Sequence, residues 1–579
     1  MLEAFDYKGV RLDAGMLRRQ LDETRDFYLR IPSDDLLKGF RERAGLPAPG
    51  VELGGWYSKD CGNVFGQVLS GLARMHMATG DAACKSKADA LVHEWGACIG
   101  LDGYPFYSFK PVSATYNYEK LVGGLVDMIV YCGNTEAPRY LARITEWAEK
   151  NLNRIRDYAN ADGAGPRAPW SEWYTLSENL YRAYLATGQT RYRDFAEVWE
   201  YTEYWDLYAK KRDIFGPRPN GEKQSQYHAY SHVNTLSGAA LAYQVKGEKR
   251  YLDTLKNAYD FLQEHQCFAT GGYGPNELLV PHDELLRLLG ETHNTVETQC
   301  CSWAAFKMSR YLILFTGDAR YGDWIERVLY NCIGASLPNA ADGRVFYYAD
   351  YNPGGARKVL YDSGWSCCSG SRPMAVAGYH DLIYFRDAKN LYVNLYAPST
   401  VEWDRAGRTI TVTQRTRFPE EETVEFTISV EKPAQFGLSL RAPGWLAGRM
   451  SATINGKPVE ARVGEGHWVR FDRRWRDGDL LAVTLPMRFR AESLDAKRGY
   501  PAAICYGPVV MAVRSLEGNP AGNLDLKHLA KTLVPSPGEP LTYHLRTDPN
   551  ILLRPFYALK ENEPYYLYLD PAVPNGVAL

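Results

Sequence analysis

Two hydrophobic periods divide the chain. Through the first two thirds, apolar residues recur at the 3.6-residue spacing of amphipathic helices, and the runs come in pairs. One run ends at a glycine and the next starts within a few residues: MATGDAACKSKADALVHEW, VYCGNTEAPRYLARITEW, LATGQTRYRDFAEVWEY, QVKGEKRYLDTLKNAYDF and LFTGDARYGDWIERVLYN. The marker glycines are Gly80, Gly133, Gly188, Gly247 and Gly317, at intervals of 53, 55, 59 and 70 residues. Glycine just past a helix end supplies the left-handed backbone that terminates it. Each unit therefore reads as a helical hairpin.

A hairpin repeat of this period closes either as an open α-solenoid or as a toroid of about six hairpins. The intervals exceed those of the short solenoid repeats and hold long inserts, Ala159–Trp170 and Phe215–Ser225. Inserts of that size in compact domains are usually functional. The toroid is favoured, an (α/α)6 barrel whose inner helices and loops surround one pocket. Near Asp387 the period changes to two, through NLYVNLYAPSTVEW, RTITVTQRTRF, TVEFTISV, FGLSLRAP, SATINGKPV, HWVRFDRRW and LLAVTLPMRF. Turn signals such as Asn455-Gly456 and Asp477-Gly478 separate these runs. Short strands at regular spacing predict a β-sandwich. The expected division is a barrel over 1–385, a sandwich over 386–514, and a β-rich tail over 515–579 that packs back on them.

Composition narrows the function. In 579 residues, 67 Lys+Arg stand against 69 Asp+Glu, a formal charge of −2. This balance gives no electrostatic reason to expect nucleic acid or an anionic membrane as partner. No stretch is long and apolar enough to span a bilayer. The start, MLEAFDYKGVRLDAG, shows no basic segment followed by an apolar one. The 11 cysteines are an odd number in a large chain and argue against a disulfide framework. A cytoplasmic protein is the simplest reading. The 41 Tyr and 14 Trp suit a sugar site, although most are expected to be core.

Two segments carry candidate chemistry. Glu297-Thr298-Gln299-Cys300-Cys301 opens the helix that leads to Gly317, and Trp365-Ser366-Cys367-Cys368 lies 67 residues beyond Cys300. Adjacent cysteines rarely bond each other. Two such pairs plus a Glu supply the ligands of a tetrahedral Cys₃Glu zinc site, and Glu297 and Cys300 can meet on one side of a first helical turn. Zinc motifs more often show two residues between cysteines, so inert core thiols are the competing reading.

The segments LGGWYSKDCGNVFGQVLSGLARMHMATGD, TGDARYGDWIERVLYN and YHDLIYFRDAKNLYVNLYAPS, in this order and at these distances, resemble the β-L-arabinofuranosidase group of glycoside hydrolases, family 127 and its relative family 146. The similarity runs over most of the chain. It implies an (α/α)6 barrel followed by β-sandwich modules, a zinc held by one Glu and three Cys, and a cysteine nucleophile. Glu297 and Cys300 match the family's Glu-x-Cys element, counting back from Thr316-Gly317-Asp318 selecting Cys300 over Cys301. Cys367 and Cys368 match its cysteine pair, of which the first is the nucleophile. His228 matches a His that lines the family's sugar site. The family's general acid is a Glu shortly after a Thr-Gly-Gly turn. Here Thr270-Gly271-Gly272 leads to Glu277, with Glu284 and Glu291 as rivals. The chain departs from the pattern in three places. Its Glu–Cys spacing is one residue longer. Ser369-Gly370-Ser371-Arg372-Pro373 follows the cysteine pair, where the arabinofuranosidases typically have Pro-Pro-Asn. Glu119-Lys120 stands where the family often has His-Lys.

The chemistry expected is exo-acting, retaining hydrolysis of a β-L-arabinofuranosyl or related residue. Coordination to Zn²⁺ removes the thiol proton of Cys367, and a Glu serves as general acid and then base. That acid needs a pKa raised toward 7, for which burial near an anionic cluster is the expected source. Glu178 and Trp365 are expected sugar contacts beside His228, while His232 is expected to be structural. The expected partner is a small carbohydrate or glycoside, and a homodimer stays open. Two alternatives remain. One is a carboxylate pair, Glu172 or Glu178 with Glu277, beside a structural zinc. The other is a carbohydrate-binding protein without catalysis.

Overall fold

The computed structural model describes residues 1–59, 63–157, 165–166, 172–217, 224, 226–405, 407–515 and 518–573. The inserts Ala159–Trp170 and Phe215–Ser225 fall largely outside these residues. Helices Asn63–Thr79, Ala114–Cys132, Leu176–Thr187, Leu236–Lys246 and Thr298–Thr316 end at the five marker glycines. Each glycine has φ between 61° and 73°. A Cβ there would meet nothing within 4 Å, so backbone conformation and not space selects glycine.

These helices and Cys367–Ala377 pack each against the next, and Cys367–Ala377 closes the ring against Asn63–Thr79. Among the described residues, six inner helices thus form the ring. Ala114–Cys132 is buried on every face from Ala114 to Met128, as a helix surrounded by others requires. The outer partner Ala137–Asn151 buries one stripe, Tyr140, Leu141, Ile144, Trp147 and Ala148. Met16–Arg30 packs outside the closing helix, completing the (α/α)6 barrel.

The β-rich part holds two sheets whose faces meet through Trp403 and Phe436, ring centroids 5.8 Å apart. The Asn455-Gly456 turn joins Ser451–Ile454 to Lys457–Val459 with φ of 52° and 76°, as the sequence predicts. Two boundaries differ from expectation. Glu3–Ala4 and Val10–Leu12, read as part of the barrel, instead add edge strands to the two sheets, beside Phe385–Arg386 and Ser399–Val401. The cut at 514/515 also falls inside one sheet, because Val509–Arg514 pairs with Asp548–Pro555. These strands have their own core around Ile504, Val513, Leu545 and Leu553. Both differences come from pairings distant in sequence, which local alternation does not reveal.

Arg441 joins barrel to sandwich. It is 0% exposed and donates to Asp323, to Glu326 at 2.5 Å and to the Asn394 carbonyl at 2.6 Å. Arg441→Ala is expected to cost about 3–5 kcal/mol by leaving Glu326 charged and buried. A thermal melt unchanged from the parent would refute this.

Candidate functional site

Two helix starts converge at one end of the barrel. Glu297 closes the short strand Val296–Glu297 and precedes helix Thr298–Thr316, which places Cys300 in its first turn. Cys367 and Cys368 are the first two residues of Cys367–Ala377. Both helix N-termini direct partial positive charge at these groups.

The Cys367 Sγ lies 3.1 Å from Glu297 Oε1, and the Cys368 Sγ 3.6 Å from the same oxygen. Cys368 Sγ and Cys300 Sγ are 3.6 Å apart, and all four ligand atoms fall within 4.8 Å of one another. Cys301 turns away to the Tyr273 carbonyl at 3.7 Å. A tetrahedral ion with ligand bonds near 2.1–2.3 Å needs edges of about 3.5–3.8 Å, close to these separations. Burial pushes the Cys300 and Cys368 thiols well up, and a hydrogen bond with Cys300 chiefly raises Cys367. Burial, then repulsion from Glu277, lifts Glu297 to about 7. The second Glu297 oxygen is buried without a hydrogen-bond partner among the described residues. Three thiols and a carboxyl that resist ionisation together, one with an orphaned oxygen, fit a divalent cation that takes thiolate and carboxylate.

Glu277 stands beside this cluster, while its rivals do not. Glu284 and Glu291 flank Arg287 in ion pairs on the outer face of His282–Glu291, their side chains 34% and 55% exposed. Glu277 follows Gly274-Pro275-Asn276 with φ of 62°, and Asn276 is also left-handed at 51°. Such backbone costs a Glu of order 1–3 kcal/mol and directs its carboxylate inward. There it meets His228 Nε2 at 3.1 Å and accepts from the Tyr347 hydroxyl at 2.9 Å and from the Tyr348 hydroxyl. The Tyr347 hydroxyl also lies 3.4 Å from Cys367 Sγ.

The elevated acid expected from burial is not what the geometry gives. Burial does push Glu277 up, but hydrogen bonds and charge from His228, with the two tyrosines, outweigh it, and the net direction is down. Burial lowers His228, yet Glu172, Glu277 and Glu297 overcome it and raise the imidazole to about 9.

His228 precedes helix Ala229–Asn234 and is fixed by Ser231 Oγ at 3.0 Å. His232 sits in an aromatic cage of Tyr174, Tyr204 and Tyr227 with its Nδ1 on the His228 carbonyl at 2.9 Å, a structural place. Lys120 and Glu119 are buried, 2.6 Å apart, with the ammonium 4.1 Å over Tyr116. Burial raises Glu172 against the pull of His228 and Lys120, and its Oε2 has no hydrogen-bond partner among the described residues.

The other two expected sugar contacts are Trp365 and Glu178. Trp365 is 2% exposed and packs between Phe27 and Tyr57, because its φ of 58° turns the ring into the core. Glu178 is ion-paired to Lys307 and lines two cavities, one of about 390 Å³ with Arg182, Arg310, Asp381 and Tyr131 and a small one with Glu119, Lys120 and Tyr230. Sequence reasoning passed over Tyr347 and Tyr348. Their signal was a tyrosine-rich irregular run, VFYYADYNPGG, just before the second cysteine pair.

A family model described as β-L-arabinofuranosidase, GH127 catalytic domain, matches residues 9–381, and one for the GH127 middle domain matches 390–487. A non-reducing end β-L-arabinofuranosidase of Bifidobacterium longum subsp. longum is 25% identical over 322 residues, 50% of this chain and 46% of that protein. The chain thus spans about half the length of the curated relative it matches. A solved GH127 β-arabinofuranosidase superposes with a TM-score of 0.75 at 17% identity, covering 98% of this chain and 97% of that one. A GH127 β-L-arabinofuranosidase from Geobacillus stearothermophilus T6 gives 0.71 at 18%, over 96% and 99%. At these identities the structural likeness is one of fold, while the two domain models span the barrel and the sandwich in order. By those matches, the chain belongs to glycoside hydrolase family 127, the β-L-arabinofuranosidase family.

Proposed function

We propose that this chain is an exo-acting, retaining glycosidase that releases a β-L-arabinofuranosyl or related sugar, with Cys367 as nucleophile and Glu277 as acid/base. The observation that carries the reading is the buried group Glu297, Cys300, Cys367 and Cys368 with Glu277 beside it. Zinc, when bound by those four residues, would supply the charge that holds Cys367 as a thiolate.

In the first step the Cys367 sulfur attacks the anomeric carbon. A C–S bond forms as the glycosidic C–O bond breaks, and the leaving oxygen takes the proton shared by His228 and Glu277. Glu277, as carboxylate, then removes a proton from water. The new C–O bond displaces the sulfur and releases the sugar with its configuration retained. The Tyr347 hydroxyl, touching both Glu277 and Cys367, keeps acid and nucleophile in register.

Elemental analysis of the purified protein should find about one zinc per chain. Stripping the metal should abolish hydrolysis of p-nitrophenyl β-L-arabinofuranoside, and zinc should restore it. Full activity in metal-free protein would reject the reading. A second reading, a carboxylate pair of Glu172 and Glu277, is favoured by the opposite directions in which these two groups are pushed. It requires activity to survive loss of the Cys367 thiol.

A further inference from the structure

The two tyrosines that hold Glu277 belong to a loop anchored from an unexpected side. Tyr347 and Tyr348 start it. Tyr348 lies beside Glu297 in strand register, and the Tyr347 carbonyl accepts the Thr298 amide at 2.7 Å. The Tyr361 amide bonds the Val345 carbonyl at 2.9 Å and closes the loop at its neck. Between these points its first half is tied to the barrel, the Thr295 amide donating to the Ala349 carbonyl at 3.1 Å and the Tyr351 amide to Thr295 Oγ1 at 3.0 Å, while its second half takes further fastenings from beyond residue 487, outside the ranges the family models match.

Ala356–Arg357 pairs with Pro564–Tyr565 as a two-stranded sheet. The Tyr565 hydroxyl donates to the Asp350 carbonyl at 2.8 Å, and the Asn562 amide to the Lys358 carbonyl at 2.8 Å. Lys358 itself is 0% exposed. Its ammonium donates to the carbonyls of Ala335 at 2.7 Å, Phe556 at 2.7 Å and Leu559 at 3.2 Å. It also lies 4.4 Å from the centre of the Phe556 ring. A buried ammonium is costly, and among the described residues carbonyls are its only hydrogen-bond partners. All three of its protons are thereby committed to joining the end of the barrel helix region, the loop and the C-terminal segment.

We infer that Lys358 is a positioning residue for Glu277: through it, the C-terminal segment Phe556–Tyr565 holds the loop whose tyrosines set the acid/base carboxylate. The inference rests on the reading of Glu277 as acid/base. Lys358 touches neither substrate nor reacting atoms. It acts because a carboxylate misplaced by about 1 Å protonates a leaving oxygen poorly.

The test compares two glycosides of the same sugar. A p-nitrophenyl β-L-arabinofuranoside needs little protonation of its leaving group, whereas a β-L-arabinofuranosyl disaccharide needs it fully. Lys358→Met should lower kcat on the disaccharide at least about tenfold more than on the nitrophenyl glycoside, with arabinose binding unchanged. Tyr565→Phe removes one fastening without disturbing a buried charge. It should show the same selectivity at smaller size, and it decides the matter if Lys358→Met does not fold. Equal losses on both substrates, or none, in folded variants would overturn the inference. Glu277→Gln run alongside separates the two levels. If it too lacks leaving-group selectivity, or if the parent hydrolyses neither glycoside, the reading of Glu277 fails. If it shows selectivity and the Lys358 and Tyr565 variants do not, only the positioning role fails.

Discussion

Cys367→Ser is expected to lower kcat on p-nitrophenyl β-L-arabinofuranoside by at least about 10⁴-fold, equivalent to some 5–6 kcal/mol of transition-state stabilisation. Serine keeps the shape and one lone-pair donor, but its hydroxyl would stay protonated where a thiol bound to zinc would not. Cys367 is also the most accessible thiol of the four-residue group, the other two cysteines of that group being fully buried. Cys301→Ser is the matched control. Its sulfur faces the Tyr273 carbonyl and not the cluster, so turnover should stay within a few-fold of the parent. Zinc content and arabinose affinity measured on both variants separate loss of the nucleophile from loss of the site. A Cys367→Ser protein that retains rates within tenfold of the parent would end the thiolate mechanism and leave the Glu172–Glu277 pair as the reading to pursue.

The parts of this molecule that were legible in its sequence are those written in local pattern. A glycine after an amphipathic run says where a helix ends, whatever lies around it, and five such glycines led to the barrel. The same logic separates the candidate acids. In HDELLRLLGE the apolar stripe of Leu285, Leu288 and Leu289 faces inward, so Glu284 and Glu291 must face solvent. Glu277, by contrast, sits in a turn that points inward. The cysteine pairs were visible because adjacent thiols have little other use.

Illegible parts depended on backbone torsion or distant pairing. Nothing near Trp365 in the chain announces the positive φ that buries its ring. Glu178 became a core ion pair only because Lys307, 129 residues away, faces it across the barrel. Tyr347 and Tyr348 gain their meaning from Glu277, 70 residues earlier. The seven-stranded third sheet joins residues on both sides of position 515, so no break in composition marks its edge. Burial was foreseeable, but the His228 contact that reverses its effect on Glu277 was not.

Glu277→Gln should divide substrates by leaving group. On the disaccharide, kcat should fall by about 10²–10⁴-fold, because glutamine cannot deliver a proton to the departing sugar alkoxide in the place of Glu277. On the nitrophenyl glycoside the first step should be nearly spared, since nitrophenolate leaves without help. The second step should then become limiting: no carboxylate activates water, so the thioglycosyl-enzyme accumulates and a burst of nitrophenol precedes slow turnover. Azide, a nucleophile that needs no base, should accelerate that slow phase and yield the glycosyl azide with the configuration of the substrate. The glutamine keeps the side chain's length, and it can still accept from Tyr347 and Tyr348, so the loop should stay in place. The imidazolium of His228 loses its carboxylate partner, however, and Glu172 becomes its principal remaining counter-charge. This supplies an internal discriminator. If Glu172 were the true acid, the Glu277→Gln protein would still protonate the disaccharide's leaving oxygen, and losses on the two substrates would be equal. A uniform loss without burst or azide rescue would therefore move the acid from Glu277 to Glu172, while selective loss with rescue fixes it at Glu277.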